Sequence, residues 1–213
     1  MTAAQPYQPL AFETPGPAPA FIVLEGVSGI GKSTLARTLA RRLAASSLHT
    51  LPRPHTDWAS TINSRLRPLP QFAFYLSGLL HAADAIRECR PLGPVVADRY
   101  VSSVIACHAA AHRVPVNDVE CLLQPFRGYL VPPTHTFYLR CSEETLRARM
   151  ETKADLKRDD TDLFTVPGRL GRLLSNFEDV AARDPSAITL DTDDQSPDEL
   201  ADVVTRLAGG THA

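Results

Sequence analysis

GVSGIGKST, residues 26–34, follows directly on the apolar run FIVLE, residues 21–25. The stretch holds three glycines, one lysine and three hydroxyl-bearing side chains. Its spacing, Gly26-x-x-x-x-Gly31-Lys32-Ser33, leaves a run that reads as a strand and enters a pattern, Thr34, Ala36, Leu39, that reads as a helix. Glycines let the backbone curl until several N–H groups converge on one anion, and the helix N-terminus adds the positive end of its dipole. Gly26, Ser28, Gly29, Ile30, Gly31, Lys32, Ser33 and Thr34 are therefore expected to form a P-loop around the phosphates of a nucleoside triphosphate. Lys32 is expected at the β- and γ-phosphates, and Ser33 at a Mg²⁺ ion.

The rest of the chain agrees with one domain of that kind. It has 213 residues, 44% of them hydrophobic, enough to close a single core. Twenty-two basic and 24 acidic residues give a formal net charge of −2, so no overall field draws it to nucleic acid or to an anionic membrane. Cys89, Cys107, Cys121 and Cys141 lack disulfide or zinc spacing and read as buried free thiols. No apolar run approaches the roughly 18 residues of a membrane span, and no secretory pattern opens the chain. A cytoplasmic protein is the expectation.

Residues 1–20 carry five prolines and few large apolar side chains, and read as a mobile tail. From Phe21 to the C-terminus, short apolar runs alternate with longer helical patterns, as in βαβ units on a parallel sheet. Strands are expected at residues 21–25, 49–52, 94–97, 134–140 and 187–190, and helices at 32–45, 71–90, 101–111, 117–129, 142–151, 166–182 and 197–208. The fold class is α/β, a five-stranded parallel sheet flanked by helices in three layers. Ser196-Pro197-Asp198-Glu199 predicts a capping box at the start of the last helix.

Val95-Val96-Ala97-Asp98-Arg99-Tyr100 places an acid and a base at the C-terminal end of a buried strand, the edge where open α/β sheets bind ligands. With EGVSGIGKST, LLHAADA, VVADRYVSS and TFYLRCSEETLRARM, the chain resembles the thymidylate kinase family from about residue 21 to residue 207. The resemblance implies a P-loop kinase fold, ATP and Mg²⁺ as cofactors, a small-molecule phosphoryl acceptor, and allows a homodimer. It assigns Asp98 to the metal and phosphates, Arg99 to the acceptor phosphate, and Tyr100 to the acceptor pocket. Arg53 stands where the family has an acid before proline; a guanidinium there suits an acceptor phosphate, the alternative being a solvated loop residue.

A basic segment after the helix at 142–151 corresponds to the family's lid, expected over residues 152–164. Arg149, Lys153 and Arg158 are its candidate cations, with Arg149 and Arg158 engaging the transferring group, against the alternative of a solvated charged face. Arg147 reads instead as a helical ion pair with Glu143. Gly29 stands where some members carry a P-loop arginine, consistent with a lid that supplies the catalytic cation.

Three positions depart from the family. Ser28 replaces the P-loop acid associated with the acceptor sugar, His81 replaces the aromatic that stacks on thymine, and Ala85 replaces an arginine near the base. Phe74 is a further candidate for that cleft. The catalytic set expected is Lys32, Asp98, Arg99, Arg149 and Arg158; the acceptor set is Arg53, Phe74, His81, Arg99 and Tyr100. A nucleoside monophosphate or analogue is the expected acceptor. Two other readings stay open: a kinase of a hydroxyl on a nucleoside or antibiotic-like alcohol, with Asp98 or Asp57 as base, and a nucleotide-hydrolysing switch acting on a protein.

Overall fold

The computed structural model describes residues 8, 9, 18–153 and 158–209, residues 158 and 159 by backbone alone. Most of the expected tail and residues 154–157 of the expected lid lie outside the described residues.

Five parallel strands form one sheet in the order β2-β3-β1-β4-β5. They are β1 (Phe21–Glu25), β2 (Ser46–His49), β3 (Val95–Asp98), β4 (His135–Arg140) and β5 (Ala187–Asp191). β1 lies at the centre, with Val23 opposite Ala97 on one side and Thr136 on the other. Every residue of β1 and β3 is buried, which is why both read as continuous apolar runs rather than alternating ones. Successive β1 side chains point to opposite faces. Ile22 and Leu24 join a core with Leu35, Leu39, Leu200 and Val204, while Phe21 and Val23 join a second with Phe72, Leu79, Val104 and Ile105. Helices on both faces complete three layers.

These helices are α1 (Lys32–Arg42), α2 (His55–Arg65), α3 (Pro68–Cys89), α4 (Val101–His112), α5 (Val116–Leu123), α6 (Glu143–Glu151), α7 (Arg158–Thr165), α8 (Arg169–Ala181) and α9 (Pro197–Gly209). The predicted capping box of α9 is formed: Ser196 N donates to Glu199 Oε2 at 2.8 Å, and Glu199 N to Ser196 Oγ at 3.2 Å.

Several expected boundaries are corrected. α1 stops at Arg42 because Ala44 turns left-handed, at φ 46°, to bring the chain into β2. β2 lies at residues 46–49 rather than 49–52; it pairs with β3 from Ser46 to His49, and its polar opening, Ser46-Ser47, carries no apolar signature. α2 was not expected at all, and none of its residues is buried, so it shows no apolar stripe. The helix expected over 117–129 gives way to a 3₁₀ turn at Gln124–Tyr129, where Pro125 withholds a backbone donor. The helix expected from residue 166 begins only at Arg169, after Pro167 and a left-handed Gly168, and α7 precedes it as a separate element. Cys121 is exposed rather than buried, the other three thiols being half-buried. No helix among the described residues is long and apolar enough to cross a membrane.

Candidate active site

The loop after β1 and the end of β3 meet at the C-terminal edge of the two central strands, where helix N-termini also converge. Gly26 adopts φ 136°, and a Cβ there would lie 2.7 Å from the Leu139 carbonyl oxygen, so only glycine fits against β4. Gly29, at φ 83°, would place a Cβ 2.3 Å from Met150 Sδ, because α6 packs directly onto the loop. Gly31 caps α1 in the left-handed conformation. Ser28 is half-buried and Thr34 exposed on the loop and first helical turn, whereas Ile30 is buried beneath them.

Lys32 is 4% exposed, and its Nζ donates to the Val27 carbonyl at 2.6 Å. Burial, reinforced by the nearby Arg99 cation, lowers its pKa to about 7, with Asp98 and Glu25 opposing. Ser33 Oγ donates to Asp98 Oδ2 across 65 residues of chain. Among the described residues, Asp98 Oδ1 is buried without a hydrogen-bond partner. Arg99 stands at φ 74° and donates from Nη1 to Gly26 O at 3.0 Å and to Ser103 Oγ at 2.9 Å. Among the described residues its Nε and Nη2 make no hydrogen bond. The tertiary structure thus brings Lys32, Ser33, Asp98 and Arg99 to one place.

A second cluster lies on α2 and α3. His81 is exposed, with its ring 5.7 Å from that of His55, which lies 5.3 Å from Phe74 and hydrogen-bonds Ser77 Oγ at 3.0 Å. Ala85 is half-buried on the same helix. Arg53 precedes α2 with its side chain 87% exposed, 3.7 Å from Asp57. His55 was not singled out in the sequence, because a lone histidine in a polar run carries no periodic signal.

Tyr100 is not a pocket residue. It is 2% exposed, edge-on to Phe21 at 5.3 Å, and its hydroxyl accepts from Val131 N at 3.2 Å. The left-handed turn at Arg99 directs the two neighbouring side chains apart, sending the tyrosine into the core.

The lid candidates are also redistributed. Arg149 donates from Nη1 to Ile30 O at 3.1 Å and Thr192 Oγ1 at 2.8 Å, and from Nη2 to Thr192 O at 2.7 Å. It therefore ties α6 to the phosphate loop and to the segment after β5 instead of standing free. Lys153 pairs with Asp160 at 2.5 Å, joining the end of α6 to α7. Arg147 bonds Glu143 at 2.6 Å, as the spacing predicts, and lies 4.4 Å over the Phe164 ring. The side chain of Arg158 lies outside the described residues. Because Arg149 braces the loop backbone, Arg149→Ala should raise KM for ATP about tenfold while changing kcat less, the size expected for loss of charge-assisted hydrogen bonds. Initial-rate kinetics with varied ATP test this; a fall in kcat alone would return Arg149 to the transferring group.

A phosphate loop on the central strand, with a carboxylate and an arginine from the neighbouring strand beside it, defines a P-loop nucleotide kinase. The thymidylate kinase family profile matches residues 24–198, and the chain belongs to that family. It is similar to the thymidylate kinase of Exiguobacterium sibiricum, 26% identical over 207 residues that cover 88% of this chain and 95% of that protein. It is also similar to the probable thymidylate kinase of Methanocaldococcus jannaschii, 26% identical over 186 residues, 84% of this chain and 90% of the relative. Among solved structures, thymidylate kinase from Candida albicans aligns with a TM-score of 0.75 at 18% identity, over 91% of this chain and 92% of its own. Deoxyadenosine kinase from M. mycoides aligns with a TM-score of 0.63 at 16% identity, over 90% and 99%. These two likenesses concern the fold. Family membership makes the chain an ATP-dependent phosphotransferase of nucleotide-kinase type.

Proposed function

We propose that the chain uses ATP and Mg²⁺ to phosphorylate a nucleoside monophosphate, and that ordinary thymidine monophosphate is not its best acceptor. The observation that carries the first part is the free edge of Arg99. Its Nη1 is committed to Gly26 O and Ser103 Oγ, which leaves Nε and Nη2 as a planar two-donor fork suited to a phosphate already present on the acceptor. Arg53, exposed before α2, is a second candidate cation for that phosphate.

The residues around Asp98 suit Mg²⁺: one carboxylate oxygen is held by Ser33 and the other is buried without a partner among the described residues, the condition a hard cation relieves. Ser33 and Asp98 would hold the ion, which supplies charge neutralisation at the β- and γ-phosphates. Lys32, once a triphosphate displaces Val27 O as its partner, stabilises the charge that develops on the transferring group.

The second part rests on Ser28, His81 and Ala85, where the acid, the aromatic face and the cation associated with thymidine monophosphate are missing. Polar groups of that substrate would be buried without partners, whereas the phosphate grip does not depend on the base. ADP formation should be measured with the natural ribo- and deoxynucleoside monophosphates, with the matching nucleosides, and with no acceptor. At least one other monophosphate should exceed thymidine monophosphate by about tenfold in kcat/KM. Preference for thymidine monophosphate would overturn the reading of the three departures. Preference for unphosphorylated nucleosides would overturn the role of Arg99, and equal hydrolysis without acceptor would make the chain a nucleotide-driven switch.

A further inference from the structure

Glu25 ends β1, in a strand whose other four residues are apolar, and it is 0% exposed. An isolated carboxylate in such a place is strongly unfavourable unless it is fully hydrogen-bonded and paired. Glu25 is hydrogen-bonded on both oxygens by one short segment, with the Arg99 cation within electrostatic reach. Its Oε1 accepts from Tyr100 N at 2.8 Å and from Ser103 N at 3.1 Å, and its Oε2 accepts from the Ser103 hydroxyl. Burial raises its pKa, while Ser103 and the Arg99 cation oppose the rise.

These contacts have a direction. α4 has no side-chain cap of its own, so Glu25, reaching from another element, satisfies two of the backbone donors at its start. Because the Ser103 hydroxyl gives its proton to Glu25, a lone pair is left facing Arg99 Nη1, which donates to it at 2.9 Å. The same Nη1 donates to Gly26 O, the residue next to Glu25. Both protons of one amino group are thereby spent, and the guanidinium plane is set. Arg99 also holds a left-handed backbone, φ 74°, which is unfavourable in a residue with a Cβ and persists only where its surroundings enforce it. Its own N–H is anchored to Leu24 O at 3.0 Å.

We propose that Glu25 is a positioning residue for the acceptor: through Ser103 and the first turn of α4 it orients Arg99 so that Nε and Nη2 present their fork to the acceptor phosphate. The inference rests on the reading of Arg99 as the acceptor cation.

The discriminating variant is Glu25→Gln. A carboxamide keeps one oxygen for the N–H groups of Tyr100 and Ser103, so the start of α4 stays capped. Its NH₂ group, however, faces the Ser103 hydroxyl, which must now accept from it as well as from Arg99, so the hydroxyl proton loses the carboxylate that fixed its direction and the lone pair aimed at Arg99 is no longer held in place. Arg99 loses its orientation while the fold is kept. With the natural monophosphate that the wild type turns over best, Glu25→Gln should raise the acceptor KM about tenfold and leave KM for ATP within about twofold. Ser103→Ala, which removes the intermediary while Glu25 keeps the N–H groups of Tyr100 and Ser103, should give the same selective loss and keeps the inference testable if Glu25→Gln fails to fold. In an Arg99→Ala background, Glu25→Gln should add nothing further to the acceptor KM. A defect in Glu25→Gln that persists in full in that background, or that raises both KM values alike, would reduce Glu25 to a fold residue and overturn the inference. If Arg99→Ala itself leaves the acceptor KM unchanged, the reading of Arg99 fails, an outcome separate from failure of Glu25 alone.

Discussion

Replacing Lys32 with alanine should lower kcat by about 10³ without unfolding the chain, by analogy with other preorganised charges aimed at a transition state. The lysine is 4% exposed yet, among the described residues, hydrogen-bonds only Val27 O, so its ammonium is desolvated without strong compensation. That is the reason its pKa falls to about 7, from an ordinary value of 10.5. In the unfolded chain the ammonium is hydrated. Its burial therefore opposes folding in full below about pH 7, and the penalty is relieved as pH rises from there toward 10.5. Alanine removes this cost, and the thermal midpoint at neutral pH should not fall. Steady-state turnover alongside thermal unfolding provides the measurement. Turnover within tenfold of wild type would remove the P-loop from the chemistry.

His108 should make the fold sensitive to acid. It is 9% exposed on α4, 5.6 Å from the Phe72 ring and 4.5 Å from His112, which in turn hydrogen-bonds Gln71 and has Arg169 within electrostatic reach. Burial first, and the neighbouring His112 second, lower the His108 pKa from 6.5 to about 4. The unfolded chain therefore binds the proton first. The stabilisation is complete above about pH 6.5 and is lost as pH falls toward 4, amounting to about 3 kcal/mol across that window. Urea unfolding at pH 7.5 and pH 4.5 should show the wild type losing at least 2 kcal/mol more, in order of magnitude, than His108→Gln. Equal losses in the two proteins would show that His108 accepts a proton as readily in the fold as outside it.

Particular residues show where reading the sequence worked and where it did not. The capping box of α9 and the Glu143–Arg147 pair were legible because their partners lie three and four residues apart on one helix. β1 was legible because burial on both faces leaves an unbroken apolar run. β2 was not, since an edge strand of two serines, a leucine and a histidine takes its place from hydrogen bonds to β3. α2 escaped for a related reason: it buries no side chain and so imposes no period on its residues. Arg149 has the composition of a lid cation, but a docked α6 turns it back onto Ile30 and Thr192. Tyr100 shares its motif with Arg99, yet the left-handed backbone at Arg99 separates a core ring from a guanidinium beside the glycine-rich loop.

The sequence by itself determined the glycine-rich loop between β1 and α1 and the alternation of strands and helices, because both depend on contacts within a few residues: glycine dihedrals, a helix N-terminus, and apolar periodicity. Only the tertiary structure decided which charges face that loop. Asp98 meets Ser33 across 65 positions, Glu25 meets Ser103 across 78, and Arg149 meets Ile30 across 119. Each pairing follows from β1 lying between β3 and β4, an order set by the packing of two cores against one sheet. A carboxylate or guanidinium reads the same in sequence whether it is solvated or buried. Its role follows from the partners that the strand order brings within hydrogen-bonding distance.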